Sequence, residues 1–198
     1  GISSLSAVIR SLESYDTTTV RASVPMWLLA KYISENTPYR VVLSGEGSDE
    51  LLGGYLYFHY APGVQEFFDE NIRRLKLLHQ FDVLRSDRTI SAHGLEVRVP
   101  FLDIDFIDTM MTIDQNLKFI PGRIEKWVLR KAFEGYLPDE ILWRQKDAFS
   151  DAVGYSWVGE MKRSAELVVS DDIENNYEHN KPLTKEESRR CPCIPSPL

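Results

Sequence analysis

Sulfur is scarce in this sequence: 198 residues hold two cysteines, Cys191 and Cys193, separated by one proline. A C-x-C pair is too close for an easy bridge, and a disulfide framework needs more cysteines. Two thiols also fall short of a four-ligand zinc site. They read as reduced thiols in a loose tail, and the expected compartment is the cytoplasm. There is no apolar run of 18 or more residues, so no membrane span is expected. Gly1-Ile2-Ser3-Ser4-Leu5 lacks the basic and apolar stretches of a signal peptide, and the absent initial methionine suggests a fragment or a processed chain. Positive charge is in deficit, with 23 Lys and Arg against 30 Asp and Glu. A free-standing nucleic-acid binder is more often basic, because it must neutralise phosphates, so no nucleic-acid partner is expected. The four histidines, at 59, 79, 93 and 179, show no metal-site spacing and read as structural.

What is present suits a globular domain: 43% hydrophobic and 27% charged residues in a chain long enough for a core. The first 36 residues read as helical, with Ser23 as a helix cap and Pro25 in the first turn before Leu28, Leu29, Tyr32 and Ile33. Arg40-Val41-Val42-Leu43-Ser44 fits a buried strand. The loop Ser44-Gly45-Glu46-Gly47-Ser48-Asp49-Glu50 follows, and a helix opens near Leu51. Strand, Gly-rich loop and helix are the grammar of an open α/β sheet, whose ligands sit beyond the carboxyl ends of strands. Helical spacing continues over Val64–Leu78, Asp103–Ile113, Ile124–Tyr136, Asp139–Arg144 and Ser156–Val169. From Ser170 the chain turns polar, and its last eight residues hold three prolines.

Three stretches carry candidate chemistry. The 44–50 loop sets Glu46, Asp49 and Glu50 among two glycines and two serines. Glycine lets a backbone approach a ligand, and carboxylate oxygens suit Mg²⁺ shared with phosphates. The loop lacks the ligand pattern of an EF-hand and the Gly-Lys-Ser/Thr ending of a Walker A loop. Composition alone favours a polar turn with capping acids. Asp82 and Arg85 share a face if Asp82–Arg88 is helical, which alone reads as a surface ion-pair ladder. Lys146, in Trp143-Arg144-Gln145-Lys146, suits a leaving phosphate, or equally the cationic end of a helix.

In order along the chain these pieces resemble the glutamine-hydrolysing asparagine synthetases. The resemblance rests on Val42–Glu50 with Gly54-Tyr55-Leu56-Tyr57-Phe58-His59, on Thr19–Ser23, on Gly94–Asp103 and on Glu125-Lys126-Trp127-Val128-Leu129-Arg130. Trp143–Lys146, Phe149-Ser150-Asp151 and Val153–Trp157 complete it. It covers residues 7–187 and implies that 1–187 is part of a C-terminal synthetase domain. The implied fold is a helix-rich α/β part of an adenine-nucleotide alpha-hydrolase-like, ATP pyrophosphatase open parallel sheet. The implied reaction is ATP-dependent amidation of L-aspartate to L-asparagine through β-aspartyl-AMP, with ATP and Mg²⁺. Ammonia would come from glutamine through an N-terminal glutaminase domain. The resemblance implies ATP contacts at Ser44 and Gly45 and a role for Glu46 in forming or aminating the adenylate. It places Asp49 and Asp82 by Mg²⁺ and pyrophosphate, and Lys146 on the phosphates. Glu50, Arg85 and Arg98 are further substrate-binding candidates, the arginines because a planar fork suits aspartate's α-carboxylate. A homodimer is allowed.

Departures from the family pattern accompany the match. A Ser-Gly-Gly-Leu-Asp-Ser type pyrophosphate loop appears nowhere in the sequence, nor does the glutaminase domain. Tyr60 stands where lysine is common and Ala152 where glycine is common. Residues 188–198 diverge, as a truncation or frame shift would make them, and are expected to be disordered. The fragment alone is therefore expected to be inactive. The alternative is a non-catalytic remnant that at most binds nucleotide or partner chains.

Overall fold

Asp16 opens the longest helix of the chain, α2 (Thr17–Asn36), by accepting the Thr19 backbone N–H on its Oδ1 at 2.7 Å. The sequence pointed to Ser23 as the cap, but Ser23 lies inside α2 with its hydroxyl donating to the Thr19 carbonyl at 2.6 Å. Pro25 therefore sits mid-helix rather than in a first turn. A proline there leaves the carbonyl four residues back without its helical donor. That carbonyl, of Arg21, instead accepts the Trp157 indole N–H at 3.1 Å.

The computed structural model describes residues 1–147 and 156–168, without the Val168 side chain. The motif residues Phe149-Ser150-Asp151 and Val153-Gly154-Tyr155, and the tail with Cys191 and Cys193, lie outside the described residues. The chain divides into two units. The first comprises 1–40, 85–96 and the described residues from Asp147 onward. Its core joins α1 (Leu5–Leu12), α2 and the helix Trp157–Val168 through Leu5, Val8, Leu12, Val20, Val24 and Met161. Leu5, Val8 and Leu12 give α1 one buried stripe, which packs with Val20 and Val24, four apart on α2.

The second unit comprises 41–84 and 97–146. It holds β1 (Val41–Leu43), α3 (Ser48–Leu52), α4 (Val64–Leu77), α6 (Ile104–Thr112), α7 (Gln115–Lys118), α8 (Trp127–Ala132) and α9 (Asp139–Leu142). α5 (Asp82–Ser91) and β2 (Glu96–Arg98) span the unit boundaries. Bonds from Glu96 N to Arg40 O and from Ser44 N to Arg98 O, both 2.8 Å, pair β1 with β2 with the two strands running in parallel. The protein is thus helix-rich α/β with a small parallel sheet. The expectation of a buried strand is corrected: Val41 is 52% and Leu43 77% exposed, because β1 has one neighbouring strand among the described residues. The expected helix over Ile124–Tyr136 shrinks to α8. Lys126 adopts φ 58° and Gly135 φ 82°, and neither continues a right-handed helix. Among the described residues no helix is long and apolar enough to cross a membrane.

Candidate active site

The loop after β1 turns sharply at Gly47, whose φ of 89° is open to glycine at little cost. A Cβ there would also collide with the Leu102 side chain. This turn starts α3 at Ser48, three residues earlier than the sequence suggested, and places Asp49 and Glu50 in its first turn. Ser44 and Glu46 are half-buried and Gly45 is exposed, with the Glu46 backbone N–H 3.4 Å from Ser44 Oγ.

Asp49 is the meeting point. Its Oδ1 lies 3.1 Å from Lys126 Nζ and 3.2 Å from Lys146 Nζ, three side chains from distant parts of the sequence. Each is about one-fifth exposed. The ammonium groups reach ion-pair distance without hydrogen-bond alignment at Oδ1, so attraction between charges holds them there. Lys126 Nζ also stands 3.4 Å from Ser48 Oγ, and Lys146 Nζ is 5.6 Å from the centre of the Tyr55 ring. Gly54 makes room for this cluster. Its N–H donates to the Asp49 carbonyl at 2.8 Å, and a Cβ on it would collide with Asp49 Oδ1 and stand 2.9 Å from Asp49 Cα.

Beside the lysines lies a cluster of acids around Tyr55. The Tyr55 hydroxyl contacts Glu50 Oε1 and stands 3.3 Å from Asp82 Oδ2. A hydroxyl has one proton to donate, so both acceptors are served at once only if one carboxyl supplies a proton of its own. Glu50 is 2% exposed. Burial raises its pKa, the Tyr55 hydrogen bond opposes the rise, and the Asp82 and Asp49 charges add to it. Burial, then the Asp82 and Glu50 charges, push the Tyr55 hydroxyl far up, so it stays a phenol.

Four of the residues singled out from the sequence thus come together: Asp49, Glu50, Asp82 and Lys146. Arg98 lies on β2 with its carbonyl on the Ser44 N–H, next to the loop. Arg85 is buried in the first unit. Lys126, Tyr55 and Glu125 carry no signal of a role in the sequence beyond their place in the Gly54–His59 and Glu125–Arg130 motifs.

A cation has a mixed welcome here. Among the described residues no three His, Cys, Asp or Glu side chains are placed to hold one. Two ammonium groups oppose a cation at Asp49 Oδ1, whereas Asp82 adds to an acid cluster that favours one. Mg²⁺ needs only one or two carboxylates when phosphate oxygens complete its shell. Each ammonium carries three N–H donors, so the pair suits an anion with several oxygens.

The asparagine synthase family model matches residues 1–73 and 62–190. The chain is 52% identical over 197 residues to an asparagine synthetase [glutamine-hydrolyzing] of Asparagus officinalis, a match covering 94% of this chain and 33% of that protein. It is likewise 52% identical to asparagine synthetase [glutamine-hydrolyzing] 2 of Arabidopsis thaliana, covering 94% and 34%. It is 49% identical to the Sandersonia aurantiaca asparagine synthetase, covering 94% and 37%. The chain spans about a third of the length of these curated relatives.

Proposed function

This chain belongs to the asparagine synthase family, and from that premise we propose that its second unit supplies the phosphate-handling side of a site that adenylates L-aspartate. The observation that carries the reading is the convergence of Lys126 and Lys146 on one oxygen of Asp49. In the proposed reaction the aspartate side-chain carboxylate attacks the α-phosphorus of ATP. The bond to pyrophosphate breaks, giving β-aspartyl-AMP. Ammonia then attacks the acyl carbon, the bond to the phosphate oxygen breaks, and asparagine and AMP leave.

Negative charge grows on the pyrophosphate oxygens in the first step. Lys146 and Lys126, already held together, would meet it without reorganisation, which is where electrostatic preorganisation counts most. Mg²⁺ would be held by Asp82, with Asp49 beside it, and would supply further neutralisation of the phosphates. Glu46 would accept the proton that the attacking ammonia loses. Ser44 and Gly45 would line the nucleotide, and Arg98 would hold the aspartate α-carboxylate. Glu50 would orient Tyr55 rather than touch substrate. We assign the sheet to the adenine-nucleotide alpha-hydrolase-like type, supported by the parallel pairing and the strand–loop–helix order. Ammonia would come from a glutaminase domain like that implied by the relatives' names.

The test uses a hybrid in which these residues replace the matching third of the Asparagus officinalis relative. Aspartate-dependent exchange of pyrophosphate into ATP reads the first step. Lys146→Ala should lower it by about 10²–10³-fold, and Glu46→Ala should lower asparagine release by a like factor while exchange persists, both with glutamine hydrolysis retained. Near-normal exchange in Lys146→Ala would contradict the reading. A hybrid that hydrolyses glutamine but shows no exchange would favour a remnant without catalysis.

A further inference from the structure

A buried ion pair lies outside the chemistry above. Glu125 Oε1 and Arg130 Nη2 are 3.4 Å apart, with side chains 2% and 12% exposed. A pair so enclosed is tolerated when its remaining donors and acceptors are satisfied. Here backbone groups meet several of them. Arg130 Nε donates to the Glu125 carbonyl at 2.8 Å, and Nη1 donates to the carbonyls of Leu142 and, at 3.1 Å, Arg144. Glu125 Oε1 accepts the Lys146 backbone N–H at 3.0 Å. The pair therefore grips the chain on the approach to Lys146 and at Lys146 itself. Lys146 lies beyond the last turn of α9, so no helical ladder fixes its backbone.

We infer that Glu125 and Arg130 are positioning residues, acting through Lys146 to hold its ammonium at Asp49 before ATP arrives. The inference rests on the reading that Lys146 handles phosphates. Arginine is needed because three carbonyls and a carboxylate are reached from one planar fork, which a lysine ammonium cannot span. A carboxylate is needed at 125 because it accepts from Arg130 and from the Lys146 amide together.

The test is Glu125→Gln and Arg130→Lys in the hybrid enzyme, each made with Lys146 intact and with Lys146→Ala. The readouts are kcat and KM for ATP in aspartate-dependent pyrophosphate exchange, with glutamine hydrolysis and thermal melting alongside. With Lys146 intact, each substitution should lower kcat by about a hundredfold, a loss typical of a reacting group displaced by about 1 Å, and should change KM far less. With Lys146→Ala, the same substitutions should add almost no further loss, because the group they position is gone. Equal losses in both backgrounds would overturn the inference, as would normal exchange in either variant with Lys146 intact. If neither variant folds, the pair belongs to the scaffold and the inference is overturned as well. Normal exchange in Lys146→Ala alone would instead overturn the functional reading on which this one stands.

Discussion

Lys118 is buried to 6% exposure, with its ammonium donating to the carbonyls of Met110 at 3.0 Å and Leu51 at 3.5 Å. Burial lowers its pKa from 10.5 to about 8. The folded state then binds fewer protons than the unfolded state between these values, so stability rises with pH across that window. The drop corresponds to roughly 3 kcal/mol. Lys118→Met should abolish this rise, as melting curves taken from pH 7 to 10.5 will read. Glu50 has the opposite sign. Its folded pKa is raised above 4.5, so the stability this group contributes is present in acid and is lost as pH climbs through the folded value. Glu50→Gln keeps an acceptor for Tyr55 and should remove that loss, leaving the variant at least as stable as the parent at pH 7. A Gln variant with the parent's pH dependence would show that Glu50 does not titrate as described. At this scale the sequence was informative about charge type and less so about neighbours. Asp49 and Glu50 stood out as acids among glycines, Asp82 as an acid sharing a helix face with Arg85, and Lys146 as a lysine after a helix. Lys126 did not, because its partner is 77 positions away and its left-handed backbone leaves no mark in the sequence.

Pro25 and Trp157 make one device at the scale of elements. The proline strips α2 of one hydrogen bond, and the indole N–H of a later helix restores a donor to the Arg21 carbonyl. Trp157→Phe should cost about 1–3 kcal/mol by leaving that carbonyl unpaired. Adding Pro25→Ala should recover part of the loss, because the helix can then supply its own donor. Denaturant unfolding of the single and double variants measures this, and simple additivity would contradict the account. The same region shows why helix caps were misread. Ser23 has the right chemistry for a cap, but Asp16 has it too and lies where the helix begins. α4, α6 and the Trp157–Val168 helix were legible from apolar spacing to within a residue or two. β2 was not, since a three-residue strand inside a longer motif carries too few positions for an alternation to register. The short α8 was overread because Ile124, Phe133 and Tyr136 keep helical spacing while Lys126 and Gly135 turn the backbone away.

For the whole molecule the parallel sheet is the decisive feature. Parallel sheets are stable when buried on both faces, yet Val41 and Leu43 of β1 lie open. An exposed apolar strand edge invites association, so residues 1–198 expressed alone should tend to aggregate, and Val41→Thr with Leu43→Thr should reduce this in light scattering. The same 198 residues, given ATP, Mg²⁺, aspartate and ammonium, should release no asparagine, since the sequence holds no glycine-rich pyrophosphate loop to cradle the phosphates with backbone N–H groups. The proposed adenylation would break the bond between the α-phosphorus of ATP and pyrophosphate. The direct measurement is product analysis of the hybrid enzyme with ATP, Mg²⁺, aspartate and ammonium. AMP, pyrophosphate and asparagine are expected in equal amounts, all three lost together in Lys146→Ala. Formation of ADP and phosphate, or undiminished AMP release from Lys146→Ala, would contradict the proposed adenylation.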